Sequence, residues 1–166
     1  LNLYLCCIYF QWFDKKYKGI DPCTITTINT FNENITCLSG IEHLKKLNKL
    51  DIYNNNISSL SGIEHLTKLK FLYLSNNNLS SLSGIEHLKN LQTLAISKNN
   101  LTSLSGIEHL INLKFLYASN NNFTSLAGIE HLKNLKYVDI ANDVPSLKRR
   151  IKYSSNINLL TSSKKI

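Results

Sequence analysis

One string constrains this chain more than any other feature. L-S-G-I-E-H-L begins at Leu38, Leu60, Leu82 and Leu104, and returns as L-A-G-I-E-H-L at Leu126, each time after 22 residues. Between the copies runs a second signature, L-x-x-L-x-L-x-x-N-x-L. It reads Leu47-Leu50-Ile52-Asn55-Ile57, then Leu69-Leu72-Leu74-Asn77-Leu79, then Leu91-Leu94-Ile96-Asn99-Leu101, then Leu113-Leu116-Ala118-Asn121-Phe123. A worn copy, Leu135-Val138-Ile140-Asp143, follows, with Pro145 in place of the final apolar residue. One period before Leu47, Ile25, Ile28, Thr30 and Ile35 form a degenerate zeroth copy. Repetition at this period means that each copy is one supersecondary unit whose apolar row is covered only when neighbours stack on it.

The local physics follows from the spacing. The L-x-L core alternates with period two, so it is a short strand with Leu50 and Ile52 inward and Lys49, Asp51 and Tyr53 outward. The Asn at the ninth position sits where the chain turns, and its amide can bond backbone groups that the turn leaves unpaired. Stacked, Asn55, Asn77, Asn99 and Asn121 form a ladder. Beyond it, apolar residues recur every third position (Ile57, Leu60, Ile63, Leu66, Leu69), which suits a return arm of extended and 3₁₀ turns. The strands then lie parallel, about 4.8 Å apart.

Over roughly residues 25–145 this pattern resembles the 22-residue class of leucine-rich repeats found in bacterial internalins and in a eukaryotic phosphatase-regulatory subunit. ITTINTFNENITCLSGIEHL, residues 25–44, is similar to the first turn of internalin-type domains. The resemblance implies an α/β solenoid, a curved right-handed superhelix with a concave parallel sheet as its binding face and short 3₁₀ or extended convex arms. The expected organisation is an N-terminal segment 1–24, a repeat domain 25–145 and a basic C-terminal tail 146–166. The frame fails at Asp143 and Pro145, and proline cannot donate to a further ladder, so the tail is expected to be out of register and residues 155–166 dispensable for folding. Within the repeat domain the units are 25–46, 47–68, 69–90, 91–112, 113–134 and a partial 135–145.

Residues 1–13, LNLYLCCIYFQWF, are almost wholly apolar. A bilayer span needs about 20 such residues, and the segment lacks the positive flank and small-residue cleavage site of a complete signal peptide. A capping element, the remnant of a truncated signal or anchor, and an exposed end all stay open; capping is favoured because a solenoid needs its open end covered. Cys6, Cys7, Cys23 and Cys37 show no zinc spacing. Cys23 and Cys37 could pair in an oxidising compartment, but free thiols are favoured.

The net charge of +8 suggests nucleic acid or a membrane until it is divided along the chain. Residues 25–145 carry ten Lys against nine acids, whereas 146–166 carry six basic residues and no acid. The excess therefore sits in the tail. Nucleic acid and membrane are disfavoured as partners, save through residues 1–13 or the tail residues Lys148, Arg149, Arg150, Lys152, Lys164 and Lys165.

His43, His65, His87, His109 and His131 each follow a Glu. Such a row could ligate a metal, but five copies of one residue mark duplication of a unit, and an exposed stripe is the favoured reading. Sequons at Asn34, Asn56, Asn78, Asn100 and Asn122 could carry glycans, though they are also the repeat consensus. No nucleophile elbow, phosphate loop, HExxH or dinucleotide fingerprint occurs. A non-enzymatic monomer without cofactor or metal is expected.

The informative positions are those that vary while the frame stays fixed. Outward on the strands lie Tyr53, Phe71, Tyr73, Phe115, Tyr117 and Tyr137, aromatics with no framework duty and of a kind enriched at protein interfaces. The strand between the two Phe-x-Tyr pairs presents Thr93, Ala95 and Ser97, which would floor a shallow cleft with walls about 10 Å apart. Asp51 and Asp139 near its ends would favour a partner with basic groups. The expected function is a protein-binding scaffold using this face, host- or surface-directed, secreted or cell-surface rather than cytoplasmic. An intracellular regulatory subunit of an enzyme such as a phosphatase, and a membrane- or nucleic-acid-associated factor acting through the tail, are the alternatives.

Overall fold

A computed structural model describes residues 17–140 and the strand Asn158–Leu160. Cys6, Cys7, residues 1–13 and the rest of the tail, for which expectations were given above, lie outside the described residues. The described elements form one parallel sheet in which sequence order is spatial order. Its strands are β1 (Thr27–Asn29), β2 (Lys49–Asp51), β3 (Phe71–Tyr73), β4 (Thr93–Ala95), β5 (Phe115–Tyr117), β6 (Tyr137–Asp139) and β7 (Asn158–Leu160). Through β6, each residue pairs with its equivalent 22 positions on: Leu50 with Leu72, Leu72 with Leu94, Leu94 with Leu116, Leu116 with Val138.

Each return arm carries one 3₁₀ turn over the Ile-Glu-His triplet, from Ile41–His43 to Ile129–His131. No α-helix forms within residues 18–140, because apolar spacing by three matches the three-residue 3₁₀ turn and not a 3.6-residue period. The turn begins at a glycine in the left-handed region, with φ between 93° and 101° in all five copies, a backbone state that a Cβ disfavours. The glutamate two residues later reaches back: Gly62 N–H donates to Glu64 Oε2 at 2.8 Å, and Gly40, Gly84, Gly106 and Gly128 repeat the bond with their own glutamates. The glutamate of the repeat string is therefore a cap for a backbone donor that the turn leaves over, where the sequence suggested only a copied exposed stripe.

The core is a continuous column of leucine and isoleucine from Ile25 to Val138, most of it fully shielded from solvent. Tyr17 packs against its first layer, with Asn29 backbone as a hydrogen-bond partner. Burial outweighs that bond and raises the phenol's pKa. Ala118 and Phe123, the odd residues of their repeat, are both buried.

Strand β7 corrects one expectation. Pro145 should have ended the ladder, leaving the tail out of register, yet Tyr137, Val138 and Asp139 pair with Asn158, Leu159 and Leu160. The step is 21 residues instead of 22, and a proline in the connection is compatible with it because the ladder needs backbone donors only in the strand itself. Cys23 and Cys37 are free, the former exposed. No described helix is long and apolar enough to cross a membrane.

Candidate binding face

Three asparagine arrangements hold the sheet's outer face in place. In the inner ladder, Ile57 N–H donates to Asn77 Oδ1 at 2.9 Å, and Asn77 Nδ2 donates to the carbonyls of Ile52 and Leu74, both at 3.0 Å. Asn99 and Asn121 repeat this one and two repeats on. Asn55 serves two donors, the N–H groups of Glu33 and Ile35. Most of the bridged carbonyls are shared, so Leu74 O accepts from both Asn77 and Asn99. In the outer line, Asn76 Nδ2 donates to Asn54 Oδ1 and Asn54 Nδ2 to Asn32 Oδ1. These residues have φ between 55° and 58°, a state that asparagine tolerates better than most residues. Lys98 occupies the same column at φ 55° and interrupts the line. At the other end of the strands, Asn90, Asn112 and Asn134 donate to Thr67, Lys89 and Ile111 carbonyls at 2.8 Å.

On this frame the outward side chains form three columns. One runs Lys49, Phe71, Thr93, Phe115, Tyr137, and the next runs Asp51, Tyr73, Ala95, Tyr117, Asp139. The third holds Phe31, Tyr53, Ser75, Ser97 and Ser119, spaced by the same period. Tyr53, Phe115 and Tyr117 are exposed, at 46%, 36% and 36%, whereas Phe71, Tyr73 and Tyr137 are half-buried. Tyr117 and Tyr137 meet with ring centroids 5.1 Å apart and planes tilted by 43°. Burial, the Asp139 carboxylate and Tyr117 all raise the Tyr137 pKa. At the other end, Lys49 Nζ lies 5.2 Å from the Tyr73 ring centroid and 3.6 Å from Asp51 Oδ2. Asp51 is thus already matched by a lysine of its own strand.

The structure changes the picture of the cleft floor. Thr93 and Ala95 face outward, but each is only 8% exposed. Small side chains between Phe71 and Tyr73 on one strand and Phe115 and Tyr117 on the next are shaded by rings on strands about 4.8 Å away on each side. The floor is thus largely shielded from solvent, and the face is an aromatic platform with a narrow seam. Sequence reasoning missed Phe31, 64% exposed, because the zeroth repeat was read only for its framework; its position 22 residues before Tyr53 was the available signal.

The convex side carries the five glutamate–histidine pairs at 3.6–3.7 Å. For Glu64 and Glu108, the backbone N–H bonds, their own first, outweigh burial and lower the pKa, with help from the histidine beside each and the one in the next repeat. Among the described residues no cluster of three or more His, Cys, Asp or Glu is placed to hold a metal ion.

A continuous parallel sheet, 3₁₀ return arms and an asparagine ladder at a 22-residue period define a leucine-rich-repeat solenoid, whose sheet is the concave face. The family model described as "leucine-rich repeat region" matches residues 24–160, and the chain belongs to that family. Among solved structures it is similar to an internalin, InlF, of Listeria monocytogenes, with TM-score 0.71, 25% identity and coverage of 76% of this chain and 38% of that one. It is also similar to the functional domain of InlJ from the same organism, described as including a cysteine ladder, with TM-score 0.65, 28% identity and coverage of 72% and 26%. Internalin C2 of that organism shares the fold at TM-score 0.54 and 22% identity, over 83% of this chain and 81% of the other. The chain thus spans well under half the length of the first two. A search of curated proteins finds no match. An internalin-like repeat scaffold is typically a non-catalytic protein-binding module.

Proposed function

We propose that this chain is a non-catalytic scaffold that binds a protein partner on the concave sheet, in a surface or host-directed setting favoured by the likeness to internalins. The observation that supports this reading most is the exposure of Tyr53, Phe115 and Tyr117 on a sheet whose inward face is already saturated with leucine. Exposed rings grouped on one face are avoided by monomers unless they bind something, and they are the side chains in which interface energy concentrates. Tyr73, Phe71 and Tyr137 extend the platform, with Ala95 at its seam and Asp51 and Asp139 towards its ends.

The test uses a partner isolated by affinity capture on the wild-type chain. Tyr73→Ala and Tyr117→Ala should each weaken it by about 1–3 kcal/mol in titration calorimetry, whereas His65→Ala and His87→Ala on the convex side should change little. Unchanged affinity in both tyrosine variants would remove the concave face as the site.

A further inference from the structure

The repeat domain is nearly neutral as a block, but the fold sorts its charges by column. The five turns that lead from the 3₁₀ arm into β2–β6 read LKKLN, LTKLK, LKNLQ, LINLK and LKNLK. They contain lysine and no acidic residue. Lys70, Lys114 and Lys136 share one column, because Asn48 O accepts from Lys70 N–H, Lys70 O from Gln92 N–H, Gln92 O from Lys114 N–H and Lys114 O from Lys136 N–H, each at 2.8–2.9 Å. Lys45, Lys89 and Lys133 share a second column in the turns, with Lys46 and Lys68 beside it. All but Lys114 are exposed. Among the described residues, the only lysine within ion-pair distance of a carboxylate is Lys49, which lies on the sheet. The carboxylates of the repeat string are occupied elsewhere, with glycine N–H groups and histidines. The opposite edge, where strands leave the sheet, is asparagine and serine, with Glu33 and Lys98 its charges from residue 32 to 127 apart from the arms themselves.

We propose that this lysine flank binds an anionic polysaccharide of the sulfated or uronic-acid type. The strip runs across the repeats from β2 to β6, about 19 Å at the sheet spacing, with cations about 5–10 Å apart. A thin, flexible chain bearing sulfates and carboxylates at short intervals can follow such an edge. Asn48 and Gln92 interleave with the lysines in the first column and offer amide groups to sugar hydroxyls. The turns contain no aromatic residue and no arginine. They therefore lack the stacking platforms used for single-stranded nucleic acid. Their one large exposed apolar side chain is Ile111, too little for the buried apolar face of an interfacial membrane site. This surface is separate from the concave platform, so the two readings stand or fall independently.

The experiment measures fluorescence anisotropy of a labelled heparin dodecasaccharide with the full chain, at low and at physiological salt. The variants are Lys70→Glu/Lys114→Glu/Lys136→Glu, Lys45→Glu/Lys89→Glu/Lys133→Glu, and the tail variant Lys148→Ser/Arg149→Ser/Arg150→Ser, each checked for native circular dichroism. Wild-type affinity should fall steeply with salt, as expected when ligand charges are neutralised by lysines. Each flank variant that retains the native fold should bind at least about tenfold more weakly, and the tail variant within about twofold of wild type. Wild-type affinity in a folded flank variant, or loss of binding confined to the tail variant, would overturn the proposal. So would tighter binding of a single-stranded oligonucleotide or of phosphatidylserine vesicles than of the dodecasaccharide at the same salt.

Discussion

Replacing Asn77 tests the inner ladder at its most connected point. The side chain is 6% exposed and makes three bonds of 2.9–3.0 Å, one accepted from Ile57 N–H and two donated to Ile52 and Leu74 carbonyls. In Asn77→Ala the carbonyls keep one partner each, Asn55 for Ile52 and Asn99 for Leu74, so each lost bond costs about 0.5–1.5 kcal/mol. The buried Ile57 N–H loses its partner at a cost of about 1–3 kcal/mol. Together these give about 2–6 kcal/mol, read as the change in free energy from urea unfolding followed by circular dichroism. Asn77→Asp sharpens the test. One carboxylate oxygen can still accept from Ile57, but the other faces two carbonyls and carries buried charge. At neutral pH it should be less stable than Asn77→Ala, and acidification should narrow the difference by restoring a donor. A loss below about 1 kcal/mol for Asn77→Ala, or an aspartate variant more stable than the alanine one at neutral pH, would refute the ladder's energetic role.

Four further outcomes are expected. Phe123→Leu should destabilise the chain, and adding Ala118→Leu should recover part of the loss, with a coupling of about 0.5–3 kcal/mol in a double-mutant cycle; additivity would mean the two buried residues do not share space. Lys98→Asn should raise stability by a few tenths to about 1 kcal/mol, since asparagine tolerates the left-handed backbone there, and an unchanged melting temperature would deny this. Glu64 and Glu108 have folded-state pKa values below their unfolded ones, so their contribution is present above the unfolded carboxylate value of about 4.3 and is lost as pH falls through the folded values. Glu64→Gln/Glu108→Gln should flatten the acid limb of the melting-temperature profile, and an acid limb as steep as wild type would contradict it. Deleting residues 157–166 removes β7 and leaves β6 unpaired on that side. It should lower the melting temperature, whereas the sequence alone suggested that the end of the tail was dispensable.

The sequence made the repeat frame legible because packing imposes it: Leu50, Leu72, Leu94 and Leu116 must all be inward for any one of them to be covered. It did not make β7 legible, because Pro145 falls where the consensus needs an apolar residue and the next strand arrives one residue early. The burial of Ala95 was not readable from its own position, since the exposure of a small outward residue is set by the larger rings beside it. Nor was the role of Glu64, because a glutamate before histidine in an invariant string looks the same whether it caps a turn or faces water. The lysine flank was hidden by summing charge along the chain; sorting by position within the 22-residue period separates lysine turns from asparagine-serine turns. The aromatic residues of the concave face were readable as outward from alternation alone, but which of them stand proud depends on contacts such as that between Tyr117 and Tyr137.

Hydroxyl-radical footprinting of the partner complex tests the concave-face account most directly, because it reads side-chain exposure at every aromatic and histidine at once. The account predicts that Tyr53, Phe71, Tyr73, Phe115, Tyr117 and Tyr137 lose reactivity on binding while His43, His65, His87, His109 and His131 keep theirs. Protection of the histidines with unchanged reactivity at Tyr53, Phe115 and Tyr117 would place the partner on the convex side and contradict it.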